Sequence, residues 1–102
     1  MEQIMSTPPV IDVPADFLRM IRNQIPIEKV IVTMLNLEVR RASKWLRFRC
    51  PRCHNFHTAT NRGTNLARCF GCKENFNPID IVMAVGECTF VEAVEYLKER
   101  MR

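Results

Sequence analysis

The sequence predicts a small α+β domain, a three-stranded antiparallel ribbon set between N-terminal helices and a C-terminal helical hairpin. Three observations carry that prediction. Two Cys-x-x-Cys pairs, Cys50/Cys53 and Cys69/Cys72, are separated by fifteen residues, enough for one two-stranded hairpin. Short segments of alternating apolar and polar residues lie before and between the pairs, and helical periodicity occupies both flanks. A chain of 102 residues makes one domain with a modest core, to which a metal cross-link is a useful addition.

Residues 1–13 lack periodicity, contain Pro8-Pro9, and read as a flexible tail. The domain proper runs over 14–102. Phe17, Leu18, Met20, Ile21 and Ile25 fit a short helix that starts near Pro14 and Asp16 and is broken by Pro26. Ile27, Val30, Ile31, Met34 and Leu35 then follow the i, i+3, i+4, i+7, i+8 spacing of a second helix. The β-branched run Val30-Ile31-Val32-Thr33 leaves a strand as the alternative.

The ribbon spans about 39–76. In Val39 to Arg49 the alternation puts Leu46 and Phe48 on one face and Trp45, Arg47 and Arg49 on the other. Phe56 to Thr60 and Leu66 to Phe70 read as two more strands, joined by the turn-forming residues Asn61 to Asn65. The C-terminal hairpin occupies about 77–101. Asn77 suits a helix cap, Pro78 a first position, and Asp80 the first turn, with Ile79, Val82 and Met83 as the buried stripe and Gly86 as the stop. Thr89 and Glu92 form a capping box for a last helix with Phe90, Val94, Leu97 and Met101 on its apolar face.

The four thiolates Cys50, Cys53, Cys69 and Cys72 suit a closed tetrahedral shell around one structural Zn²⁺, with no open position for water or substrate. Such a site holds a fold together and does not catalyse. Iron in a rubredoxin-like knuckle satisfies the same pattern. Disulfides fit poorly, because no apolar segment resembling a secretory signal follows Met1, and a redox dithiol would place one pair at the start of a helix. Cysteine usage points to a reducing cytoplasm. His54 and His57 are spare ligands, and Cys88 reads as a buried free thiol.

The formal charge of +4 conceals an asymmetry. Residues 39–73 hold nine of the fifteen Lys and Arg and no Asp or Glu, leaving six basic and eleven acidic residues elsewhere. A ribbon of that charge suits a polyanion. No apolar run approaches the roughly 20 residues of a membrane span. Lys44, Trp45, Arg47, Arg49, Arg62 and Arg68 are the nucleic-acid candidates: cations to follow phosphates and a ring on which bases stack. The bland alternative buries Trp45 in the core and leaves the cations as a solvated surface.

Residues 69–97, CFGCKENFNPIDIVMAVGECTFVEAVEYL, resemble the second half of the zinc-binding domain at the N-terminus of bacterial DNA primases. The matches are Cys69-Phe70-Gly71-Cys72, Ile79-Asp80-Ile81-Val82-Met83 and Thr89-Phe90-Val91-Glu92-Ala93-Val94. Ile25 to Val30 and the basic strand leading to Cys50-Pro51 fit more loosely, so the resemblance covers about 25–98. The family's usual second ligand is histidine, and this chain has Cys53 there. The resemblance implies a non-catalytic module that recognises single-stranded DNA template in replication priming. It also implies, as partners, a primase catalytic region that makes the RNA primer, or a replicative helicase. No catalytic residue is assigned, because the carboxylates of this chain are scattered over caps and solvent faces. A protein-interaction ribbon docking on a replication or transcription enzyme is the alternative, and a redox or metal sensor the third.

Overall fold

The computed structural model describes residues 14–42 and 45–100, and the side chains of Ala42 and Trp45 lie outside that description. The expected tail at 1–13, Lys44 and Met101 therefore fall outside the described residues, as does the environment of the Trp45 ring. The α+β class stands: among the described residues four helices pack against one antiparallel sheet.

Helix α1, Ala15–Gln24, begins after Pro14 and ends where Pro26 forbids continuation. Its Ile21, together with Ile25 beyond its end, is buried. Helix α2 opens at Ile27–Lys29 and widens into a π-helical turn over Val30–Met34. The run is thus helical with Ile27, Val30 and Ile31 buried, as its periodicity predicts, and the strand alternative is corrected; the helix differs from a regular one in its wide last turn. The Leu35 N–H reaches back five residues to the Val30 carbonyl at 2.8 Å, and Asn36 then turns left-handed at φ 53°. Four consecutive β-branched residues crowd a standard turn, and the wider turn relieves that crowding. The Tyr96 hydroxyl donates to the Met34 carbonyl at 2.9 Å, which satisfies an acceptor freed at this end.

The sheet has five strands among the described residues rather than the expected three. They are β1 (Val39–Ala42), β2 (Trp45–Phe48), β3 (Thr58–Asn61), β4 (Leu66–Cys69) and β5 (Glu74–Phe76), paired in chain order. What reads in the sequence as one strand leading to Arg49 is a hairpin, with Val39 opposite Phe48 and Arg40 opposite Arg47. The extra strand β5 pairs with β4, Ala67 opposite Phe76 and Arg68 opposite Asn75.

One face of the sheet carries the core. Leu46, Phe48, Ala67, Cys69 and Phe76 are buried in one cluster with Ile21, Ile27, Val30, Ile31, Ile79, Ile81, Val82, Ala93, Val94 and Leu97, and Thr58 and Thr60 on the same face are buried too. Burying a Phe48 or Phe76 side chain stabilises by roughly 1.5–3 kcal/mol.

Helix α3, Pro78–Gly86, starts with a complete capping box: Asn77 Oδ1 accepts from the Asp80 N–H at 2.8 Å, and Asp80 Oδ2 from the Asn77 N–H at 3.1 Å. The helix ends as expected at Gly86, but the left-handed residue of the stop is Glu87, at φ 50°. Thr89 and Glu92 exchange the same pair of bonds at the start of α4, Phe90–Arg100. Val94 and Leu97 face the core as expected, joined by Ala93, whereas Phe90 is 42% exposed. A first-turn residue beside the cap lies ahead of the packed stripe. No helix among the described residues is long and apolar enough to cross a membrane.

Candidate metal centre and nucleic-acid face

The two Cys-x-x-Cys pairs fold into near-identical knuckles. In the first, the His54 N–H bonds to the Cys50 carbonyl at 2.9 Å; in the second, the Lys73 N–H bonds to the Cys69 carbonyl at 2.7 Å. The residue after each second cysteine is left-handed, His54 at φ 65° and Lys73 at φ 59°. In each knuckle the first cysteine sulfur accepts backbone N–H groups: Cys50 Sγ from Arg52 and Cys53 at 3.3 and 3.5 Å, and Cys69 Sγ from Cys72 at 3.3 Å. Cys50 and Cys69 are fully buried and Cys53 and Cys72 half-buried.

A left-handed non-glycine residue costs about 1–2 kcal/mol. Lys73→Gly, and His54→Gly likewise, is therefore expected to raise stability by about 0.5–1 kcal/mol, the larger backbone freedom of glycine in the unfolded chain offsetting the rest. Thermal melts of the metal-loaded variants check this, and an unchanged or lowered midpoint would show that the turns are not strained.

The knuckles bring all four sulfurs within 4.8 Å of one another. Two of these approaches run between knuckles, Cys50 to Cys72 at 3.8 Å and Cys53 to Cys69 at 3.6 Å. Four sulfurs at the Zn–S distance of about 2.3 Å, placed tetrahedrally, stand about 3.8 Å apart. The four thiol donors thus fit one Zn²⁺, which would staple β4 and its knuckle to the β2–β3 knuckle. Neither histidine belongs to the cluster. His57 lies beside it: a side chain at Gly71 would meet His57 Nδ1, Cys69 Sγ and Cys53 Sγ at 3.6, 3.8 and 3.9 Å. Cys88 is half-buried, with its thiol donating to the Val82 carbonyl at 3.6 Å.

Electrostatics within the cluster are uneven. Burial pushes the Cys69 thiol up, but the Cys72 N–H, the Thr58 hydroxyl and the Cys53 and Cys50 thiols outweigh it and bring the value down to about 6. The buried Thr58 hydroxyl has no other hydrogen-bond partner. The thiols of Cys53 and Cys69, helped by burial, push Cys72 up to about 12. Metal ligands bind deprotonated, so uptake of the ion displaces protons from the cluster.

The chain matches the DnaG-type zinc-ribbon family model, the CHC2 zinc finger, over residues 13–102. It belongs to the CHC2 zinc-finger family. It is also similar to the DNA primase of Mycobacterium leprae, 32% identical over 94 residues, covering 87% of this chain and 14% of that protein. The chain thus spans about a seventh of the length of that relative. Family membership and the four-sulfur cluster together make this a zinc-binding module of the primase type. This member of the CHC2 family builds the cluster from cysteines alone.

The four nucleic-acid candidates whose side chains are described, Arg47, Arg49, Arg62 and Arg68, separate in space. Arg47 and Arg68 come together on the sheet face opposite the core, both opposite Ala59 in the β-ladder. Arg49, beyond β2, pairs with Glu38 at 3.5 Å, donates to the His54 carbonyl at 2.7 Å and stacks on the Phe56 ring at 4.6 Å. Arg62 is committed elsewhere, with Nε and Nη2 donating to Glu28 at 3.1 and 3.2 Å. That bond holds the Glu28 carboxyl below the usual range.

Arg40, Phe56 and Phe70 were not among the sequence candidates. Arg40 lies opposite Arg47 and stacks on Phe56 at 4.2 Å, and Phe70 is 63% exposed with the Arg68 guanidinium 5.9 Å from its ring. The signal for Arg40 was available only once the β1–β2 hairpin fixed its register.

Proposed function

We propose that this domain binds single-stranded DNA template on the outer sheet face and serves a primase by holding template, without performing the chemistry itself. One observation supports the reading above the others. Arg40, Arg47, Ala59, Arg68 and Asn75 form a single row across all five strands. Like charges directly opposite each other destabilise a sheet. No carboxylate of the described residues lies within ion-pair distance of Arg40, Arg47 or Arg68. A row of cations bordered by the rings of Phe56 and Phe70 is stabilised by a polyanion with stackable bases.

Membership of the zinc-ribbon family and similarity to a DNA primase give that polyanion its context. Polymerisation would be carried by a catalytic region acting beside this module, and such a region, or a replicative helicase, is its expected partner.

Fluorescence anisotropy of the zinc-loaded protein against single- and double-stranded oligonucleotides, over a salt series, tests the reading. Single strands are expected to bind with a log–log slope near −0.7 per phosphate contacted. Arg47→Ala and Arg68→Ala should each weaken binding and flatten the slope by about 0.7. Arg62→Ala should leave the slope unchanged, because its guanidinium is occupied by Glu28. Absence of binding at low salt would overturn the proposal.

A further inference from the structure

We infer that the groove between α3 and the first cysteine knuckle docks a protein partner, through a segment that combines arginine or lysine with apolar side chains. The inference goes beyond the single-strand reading, which concerns the other face of the sheet, and either stands without the other.

Two hollows of about 480 and 410 Å³ meet along α3, where Ala84 and Glu87 line both. The first extends over β5 and the second over the knuckle of Cys50. Leu37, Pro51, Met83 and Val85 give the groove an apolar floor. Leu37, Met83, Ala84 and Val85 are only partly covered by the core they pack against. A methionine in such a floor adapts to side chains of different shape. Glu74, on the rim, stands opposite Cys69 in the ladder, on the face away from the row of Arg40, Arg47 and Arg68.

Charge selects the occupant. The groove is lined by four carboxylates, Glu38, Glu74, Asp80 and Glu87, and by two arginines. Arg52 Nε lies 2.9 Å from Glu74 and Arg49 Nη2 lies 3.5 Å from Glu38, so both guanidiniums are already paired. No cation among the described residues lies within ion-pair distance of Asp80 or Glu87. The groove is therefore negative, in a chain whose residues 39–73 hold nine cations and no anion. It repels a phosphate backbone. An arginine or lysine fits it, because the methylene stem lies along the apolar floor while the charge reaches the carboxylates. Residues 1–13 of this chain are a poor match, since they contain Glu2 and Asp12 and no Lys or Arg.

Nuclear magnetic resonance of the zinc-loaded full chain, titrated with a synthetic peptide that alternates leucine and arginine, tests the inference. The peptide is expected to shift the amides of Arg52, Met83, Ala84, Glu87 and Cys88 and to leave those of Arg47 and Arg68 in place. Peptides with serine for leucine, or glutamate for arginine, should shift none of them. Glu87→Lys, at an exposed position, should weaken peptide binding about fivefold, because a like charge replaces an ion pair. Ala84→Lys, where the hollows meet, should act in the same direction, and both variants should retain one equivalent of zinc. Shifts that miss the groove, an equal response to the glutamate peptide, or unchanged affinity in both variants overturns the docking site and leaves single-strand binding standing. Concentration-dependent dimerisation of the parent in sedimentation, abolished by Glu87→Lys, would assign the groove to a second copy and overturn the inference as well. Absence of oligonucleotide binding with peptide docking intact overturns the single-strand reading alone.

Discussion

Cys69→Ser is expected to give a chain that neither retains zinc nor melts cooperatively. Cys69 is fully buried, ends β4, and belongs to the same cluster as Phe48 and Phe76, so its sulfur lies where core and metal site meet. Structural zinc contributes about 10–16 kcal/mol in zinc-finger peptides near neutral pH. The whole stability of a typical domain is about 5–15 kcal/mol. Loss of one buried ligand therefore removes a quantity comparable with everything that keeps the chain folded. Cys53→His is the instructive contrast. Cys53 is half-buried, and histidine is the usual second ligand in the primase zinc-binding domains that this sequence resembles. That variant should keep one equivalent of metal with a modestly lowered midpoint. Metal content after dialysis and far-UV circular dichroism melts, with and without chelator, distinguish these outcomes. A Cys69→Ser protein that binds one zinc and melts like the parent would refute the structural role of the cluster.

The metal cluster was legible in the sequence because its signal is local. Two short spacings fix two knuckles, and a hairpin between them is enough to bring the knuckles together. The capping boxes at Asn77/Asp80 and Thr89/Glu92 were legible for the same reason, since three residues span the whole interaction. The β1–β2 hairpin was not. The residues between its strands are Ser43 and Lys44, without the glycine, asparagine or proline that usually marks a tight turn. Strand β5 escaped for a related reason: Glu74-Asn75-Phe76 has little intrinsic strand preference and is recruited by pairing with β4 and by burial of Phe76.

The described nucleic-acid candidates have different surroundings because composition locates cations but not their partners. Arg47 and Arg68 share a face through strand register, which periodicity within one strand cannot reveal. Arg62 looked equally available in the sequence, yet its carboxylate partner lies 34 residues away at Glu28. Nothing in the local pattern of Asn61 to Asn65 signals that contact.

Asn65→Ala is expected to destabilise the fold by about 3–4 kcal/mol, far more than its place in a turn suggests. Its side chain brackets the helix break across the hairpin: Nδ2 donates to the Arg22 and Ile25 carbonyls at 2.6 and 2.8 Å, and Oδ1 accepts from the Ile27 N–H at 2.8 Å. Pro26 interrupts the helix there, so these backbone groups have no intrahelical partners. Ile25 and Ile27 are both buried, so water replaces their two bonds poorly, whereas the bond to the Arg22 carbonyl is exposed. Each bond contributes about 1 kcal/mol net, with a further penalty where a buried group is orphaned. Asn65 is also left-handed, at φ 55°, a conformation that asparagine tolerates and alanine does not. Asn65→Gly loses the bracket but relaxes the backbone, and should cost about 1 kcal/mol less than alanine. Asn65→Asp keeps the acceptor for Ile27 but sets a carboxylate against two carbonyl oxygens, so it should be no milder than alanine. For a domain of this size 1 kcal/mol corresponds to roughly 4–8 °C, so melts of the zinc-loaded variants resolve the order. Equal losses for glycine and alanine would remove the backbone contribution. Losses below about 1 kcal/mol for all three would show that the helix break is held by burial of its isoleucines and not by this bracket.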